Sequence, residues 1–125
     1  MRYLVLILFL AGCAKPVTLK PEPRIDSRII EAVVQAESKG RADAVSRSRC
    51  VGLMQICPST WRMLGYSRAE LFDPEKNIAA GTAYLEMLLD QFGDMHKALA
   101  AYNCGPSRWQ RCQGYARRVM RAAYE

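Results

Sequence analysis

Long hydrophobic runs are scarce in this sequence. The one unbroken apolar stretch, Tyr3 to Leu10 behind the lone basic residue Arg2, is eight residues long, whereas a helix that spans a bilayer needs about 20. It excludes a membrane span there and has the length and flanks of a signal-peptide core, so it is left out of the fold. Sustained apolar–polar alternation is also missing, and nothing demands a central strand; the domain should be mostly α. No internal repeat or low-complexity tract follows residue 25. Histidine is reduced to His96, expected on a helix surface. Carboxylates are outnumbered, 12 against 18 Lys and Arg, giving a net charge of +6, or +5 once Arg2 leaves with the signal. Such a surface suits a polyanionic partner.

What is present sharpens these exclusions. The 125 residues suffice for one compact domain. After the apolar run, "LAGC" (Leu10 to Cys13) resembles the lipobox of bacterial lipoproteins. That resemblance implies cleavage before Cys13, residues 1–12 as signal peptide, and a lipid on Cys13 that ties the chain to a membrane. Ala14 and Lys15 place no aspartate beside the anchor, which by the same resemblance directs the protein to the outer membrane, facing the periplasm. Residues 13–24 carry Pro16, Pro21 and Pro23 and read as a tether reaching about 3.1 Å per residue. The domain then covers residues 25–125. Export argues against nucleic acid and for peptidoglycan, whose peptide stems bear carboxylates, among the polyanions.

With Cys13 set aside, Cys50, Cys57, Cys104 and Cys112 remain. Four cysteines in a small exported domain favour two disulfides. The six and seven residues between neighbours are not metal-knuckle spacings, and no metal is expected. Three pairings are possible, and the sequence does not choose among them.

Helix signals fill the remainder. Asp26 or Ser27 caps a first helix that Gly40 can close in the left-handed conformation. Pro58 opens a short second helix ending at Gly65. Asp73 and Pro74 start a long third one, with Ile78, Leu85, Leu88, Leu89 and Phe92 on its apolar face, stopping at Gly93. "MHKALAAYN" is a shorter helix broken by "CGP", and Tyr115 to Tyr124 forms the last.

On the first helix, Ile30, Val33 and Val34 make an apolar stripe, and Glu37, at i+7 from Ile30, falls on the same face rather than with Glu31 and Lys39. Burial raises the pKa of a carboxylic acid, and the negative end of the helix dipole acts in the same direction. An acid so placed can keep its proton near neutral pH, as a proton donor to a glycosidic oxygen must. Periodicity alone also permits a frayed end with Glu37 in solvent.

The motifs Glu37-Ser38, Ala44-Val45-Ser46, Gly52-Leu53-Met54-Gln55, Asn77-Ile78 with Gly81, and Ala101-Tyr102-Asn103 occur in that order. Together they resemble the catalytic domain of soluble lytic transglycosylases, over residues 25 to about 121. The resemblance implies a lysozyme-like single domain of about five to six helices that cleaves peptidoglycan glycan strands without a cofactor. It makes Glu37 the catalytic acid and base. Gln55, Ser46, Tyr102 and Asn103 would line the sugar cleft, and Tyr115 fits the tyrosine found near the end of this domain. Glu37 would protonate the oxygen bridging N-acetylmuramic acid and N-acetylglucosamine, then take the proton of the muramoyl C6 hydroxyl as it closes onto C1, leaving a 1,6-anhydro end.

Departures from the family pattern cluster at the cleft. Arg49-Cys50 stands where a Gly-Ala pair is usual, Cys57 replaces a methionine and Cys104 an alanine. Arg49 offers a cation to a stem-peptide carboxylate, although solvation is the default for such a side chain. Two rival functions remain: a muramidase using water, with Asp43 or Asp73 as second carboxylate, and a non-catalytic wall-binding lipoprotein. Catalytic domains of this size resemble specialised transglycosylases that open the wall for secretion, conjugation or phage machinery.

Overall fold

In a computed structural model of the protein, residues 23–125 are described. The expected signal peptide (residues 1–12), the expected lipidation site Cys13 and all but the last two residues of the expected tether lie outside them. Among the described residues the chain forms five α-helices and two short 3₁₀ segments: α1 Ser27–Ser38, α2 Pro58–Leu64, a 3₁₀ turn Glu70–Phe72, α3 Pro74–Phe92, α4 Met95–Cys104, a 3₁₀ segment Pro106–Cys112, and α5 Gln113–Tyr124. The mostly α class read from the sequence is the class observed. No described helix is long and apolar enough to cross a membrane.

Capping residues fix most boundaries. The Asp26 side chain accepts from the Arg28 N–H, Asp73 from Lys76 and Asp94 from Lys97, each relieving one of the donors that a helix start leaves unpaired. Pro58 and Pro74 occupy first turns, and Gly65 and Gly93 end α2 and α3 at positive φ. Three expectations need correction. The left-handed residue closing α1 is Lys39, φ 54°, with Gly40 following at φ 77°, because the last N–H of the turn, that of Lys39, already reaches the Gln35 carbonyl at 3.2 Å. The last helix begins at Gln113, two residues before Tyr115, running on from the 3₁₀ segment. Ile78 is not core: it is 37% exposed, since α3 turns Asn77, Ala80, Gly81, Leu85 and Leu88 inward instead.

α4 lies at the centre. Its Ala98, Leu99, Ala100 and Ala101 are all fully buried, so that one whole turn is apolar on every side, as suits the inside of a fold. Alanines there let α3, α5 and the 3₁₀ segment approach closely. α1 contributes Ile29, Ala32 and Val33, with Ile30 and Val34 at its margin, and α5 contributes Tyr115, Ala116 and Val119. Burying one Val, Leu or Met side chain stabilises by roughly 1.5–3 kcal/mol, so this shared core holds α1 against α5 and α5 against α4. Arg24 pairs with Asp90 of α3, and Ile25 is buried, tying down the entry to α1.

The segment between α1 and α2 contains no named strand. It folds as a ribbon with bridges Val45 to Val51 and Val51 to Ile56, closed by the disulfide Cys50–Cys57. The second disulfide joins Cys104 to Cys112. Both pairings are local, and loops this short stabilise by about 2.5 kcal/mol each in the chain-entropy account.

Candidate active site

Glu37 sits in the last turn of α1, half-buried. Its Oε1 accepts a hydrogen bond from the Tyr115 hydroxyl of α5 at 2.7 Å, across 78 positions of sequence. Burial raises the Glu37 pKa above its ordinary 4.5, and the Tyr115 bond, which favours the ionised form, opposes this. Burial and the Glu37 charge together hold the Tyr102 and Tyr115 phenols protonated well beyond the usual range. The exchangeable proton at this site therefore belongs to the carboxyl.

Glu37 opens onto a cavity of about 430 Å³ whose walls include Arg41, Asp43, Ser46 and Gln55. Gln55 also lines a second cavity, about 240 Å³, with Cys57, Tyr84, Tyr102, Asn103 and Cys104. Gln55 thus joins the two into one groove running from the end of α1 to the end of α4. A cavity of about 510 Å³ lies elsewhere, lined by Arg28, Glu31 and Gln35 together with Ile30, Val34, Ile78 and Ala122; Glu37 does not reach it.

The other residues singled out from the sequence fall around this groove in distinct roles. Gln55 adopts a left-handed backbone, φ 51°, an arrangement costing about 1 kcal/mol or more for a non-glycine residue. Its Nε2 secures the ribbon by donating to the Ala44 and Gly52 carbonyls at 3.1 and 3.0 Å, leaving Oε1 as the group open to a ligand. Ser46 makes no bond to Glu37; its Oγ accepts the Cys50 N–H at 3.1 Å. Tyr102 donates its hydroxyl to the Met54 carbonyl at 2.7 Å and packs its ring against Tyr84, centroids 5.5 Å apart. Asn103 is exposed on the second cavity. Asp43 shares the Glu37 cavity, whereas Asp73 is a helix cap bonded to Lys76 and is removed as a second carboxylate.

One residue of the site's foundation carried no functional reading. Asn77 is fully buried. Its Oδ1 accepts the Met54 N–H at 2.8 Å, and its Nδ2 donates to the Val51 and Leu71 carbonyls at 2.9 and 2.8 Å. A side chain on Gly52 would place Cβ 2.2 Å from Asn77, and one on Gly81 would place it 2.4 Å from the Met54 sulfur. The motif glycines are therefore space for an interlock between α3 and the ribbon. An Asn spaced i, i+4, i+8 with Gly81 and Leu85 was the available signal. Among the described residues no group of three or more His, Cys, Asp or Glu is placed to hold a metal ion.

Comparisons with known proteins agree with this geometry. The family model described as Transglycosylase SLT domain matches residues 18–124. The chain is 38% identical over 100 residues to the transglycosylase of Enterobacteria phage PRD1, covering 78% of this chain and 37% of that protein. It is 40% identical over 98 residues to the membrane-bound lytic murein transglycosylase C of Photorhabdus laumondii, covering 65% of this chain and 28% of the relative. The chain thus spans well under half the length of these two relatives. The 70 kDa soluble lytic transglycosylase of Escherichia coli matches in structure with a TM-score of 0.72 at 28% identity, over 81% of this chain and 21% of that one. The lysozyme-like architecture implied by the motifs is the one adopted.

Proposed function

Because the chain belongs to the transglycosylase SLT domain family, we propose that it cleaves the β-1,4 bond between N-acetylmuramic acid and N-acetylglucosamine in peptidoglycan, without water, leaving 1,6-anhydromuramoyl ends. One observation carries the reading: a single half-buried carboxyl, Glu37, held by Tyr115 at 2.7 Å, faces a groove lined by Ser46, Gln55, Tyr102 and Asn103. Glu37 gives its proton to the bridging oxygen as the bond to C1 breaks. The carboxylate so formed takes the proton of the C6 hydroxyl, whose oxygen bonds to C1. Glu37 ends protonated again, and no cofactor or water is consumed. Gln55 Oε1, Ser46 and Asn103 are offered to the sugars, while Tyr102 fixes the wall through the Met54 carbonyl.

Digested cell wall analysed by mass should show anhydro ends. Asp43 on the same cavity supports the hydrolytic alternative, in which it would activate water; products with reducing ends would establish that reading instead.

Tyr115 acts on Glu37 as a positioning residue. Tyr115→Phe is expected to lower kcat by about tenfold to a hundredfold through lost orientation. The same change should move the alkaline limb of the pH–rate profile to higher pH, because the lost hydrogen bond favoured the ionised carboxylate. An unchanged or lowered limb would refute this role.

A signal peptide at residues 1–12 and a lipid on Cys13 would hold the enzyme at the periplasmic face of the outer membrane, within reach of the glycan. The membrane-bound relative supports attachment to a membrane, and the phage relative supports phage machinery among the settings, with secretion and conjugation, in which the wall would be opened locally.

A further inference from the structure

Charge is sharply segregated along the chain. Residues 44–69 and 95–124 contain ten Lys and Arg and no carboxylate, whereas residues 70–94 contain six carboxylates and one lysine. The two acid-free stretches supply most of the groove, the ribbon from one side and the end of α4 from the other. Within the groove the ends differ. The cavity by Tyr102 has no charged residue in its lining, as suits neutral sugar rings, while the cavity by Glu37 includes Arg41.

The rim of that second end is a tight turn. Arg49 N–H donates to the Ser46 carbonyl at 2.9 Å, and Ser46 N–H to the Cys50 carbonyl at 3.0 Å. Arg49 is held at φ 66° and followed directly by the Cys50–Cys57 disulfide. Arg47 and Arg49 are exposed at its tip, adjoining Ser46 on the cavity wall, and neither pairs with a carboxylate among the described residues. Arg41 gives Nε to the Ser38 carbonyl. Asp43 is the one carboxylate besides Glu37 on this cavity.

We propose that this turn, Arg47 and Arg49 with Arg41 behind them, binds the carboxylates of the peptide stem carried by the glycan strand, so that the muramoyl sugar enters with its peptide toward the Glu37 end. The proposal rests on the transglycosylase reading and names the part of the substrate the arginines read. Guanidinium forks match carboxylates in a bidentate manner, and a turn pinned by a disulfide holds them without ordering a loop on binding.

The test compares the full chain with the double variant Arg47→Ser, Arg49→Asn, asparagine being chosen because it tolerates positive φ. Substrates are native glycan strands, strands whose carboxylates have been amidated with carbodiimide and ammonia, and strands stripped of peptide by an amidase, which keep only the lactyl carboxylate. The variant is expected to show KM raised about three- to tenfold on native strands, with kcat and anhydro products unchanged, and to match the wild type on amidated and stripped strands. Arg47→Lys, Arg49→Lys should restore part of the loss. Equal losses on native and amidated strands, or no loss on native strands, would overturn the proposal; a loss persisting on stripped strands would move the contact to the lactyl group and overturn the stem assignment. Wild-type products without anhydro ends would instead count against the reaction itself.

Discussion

Replacing Glu37 by glutamine is expected to reduce wall cleavage by about 10³-fold or more, while leaving the domain as stable as before, or more stable, at neutral pH. Glutamine keeps the shape and an oxygen to accept the Tyr115 hydroxyl, but it has no proton to give to the bridging oxygen and cannot take one from the C6 hydroxyl. Both halves of the reaction fail together. The stability effect follows from the direction of the pKa. Burial raises the Glu37 pKa above 4.5, so the folded state holds this proton more tightly than the unfolded chain. Ionised Glu37 in the fold therefore costs stability at pH values above its folded pKa, and the cost vanishes below the ordinary carboxylate value. The glutamine variant should gain on the wild type in thermal melts as pH rises and lose that advantage in acid. Undiminished lysis would end the catalytic assignment; a lower melting temperature at neutral pH would contradict the account of a buried carboxyl.

That Glu37 faces inward was legible because one helix face repeats by simple spacing, and a carboxylate on it stands out. Its partner Tyr115 was readable only as a family position, since no local pattern links residues 78 apart. The same logic explains the misplacement of Ile78. Its seven-residue step to Leu85 is a good apolar period, but the inward face of α3 is set by Asn77 and Gly81, which carry no hydrophobic signal. Tyr102 looked like a sugar-positioning group, yet its hydroxyl is committed to the Met54 carbonyl, a bond invisible until the ribbon is folded. Disulfide pairing was likewise open on paper and is decided by the ribbon and the 3₁₀ segment, which return each chain to its own neighbour.

Asn77→Leu is expected to destabilise the domain by about 3–5 kcal/mol, although the volume is nearly kept. The amide satisfies three buried backbone groups at once: the Met54 N–H and the carbonyls of Val51 and Leu71. Leucine would leave the Met54 N–H and the Leu71 carbonyl without partners and the Val51 carbonyl with only the Ile56 N–H, in a region where Val51, Met54 and Leu71 are fully buried. Each orphaned group costs about 1–3 kcal/mol, against a total stability of roughly 5–15 kcal/mol for a domain. The melting temperature should fall by about 15 °C or more; a fall of only a few degrees would show that the ribbon does not depend on this anchor. Asn77→Asp should also be harmful, because its second oxygen would face two carbonyls in place of the donor that now serves them. Activity should fail before the fold does on heating. Two of the three bonds hold the ribbon just before Gln55, at Val51 and at Met54, whose carbonyl Tyr102 grips, so loosening them disperses the groove wall while α1, α4 and α5 remain packed.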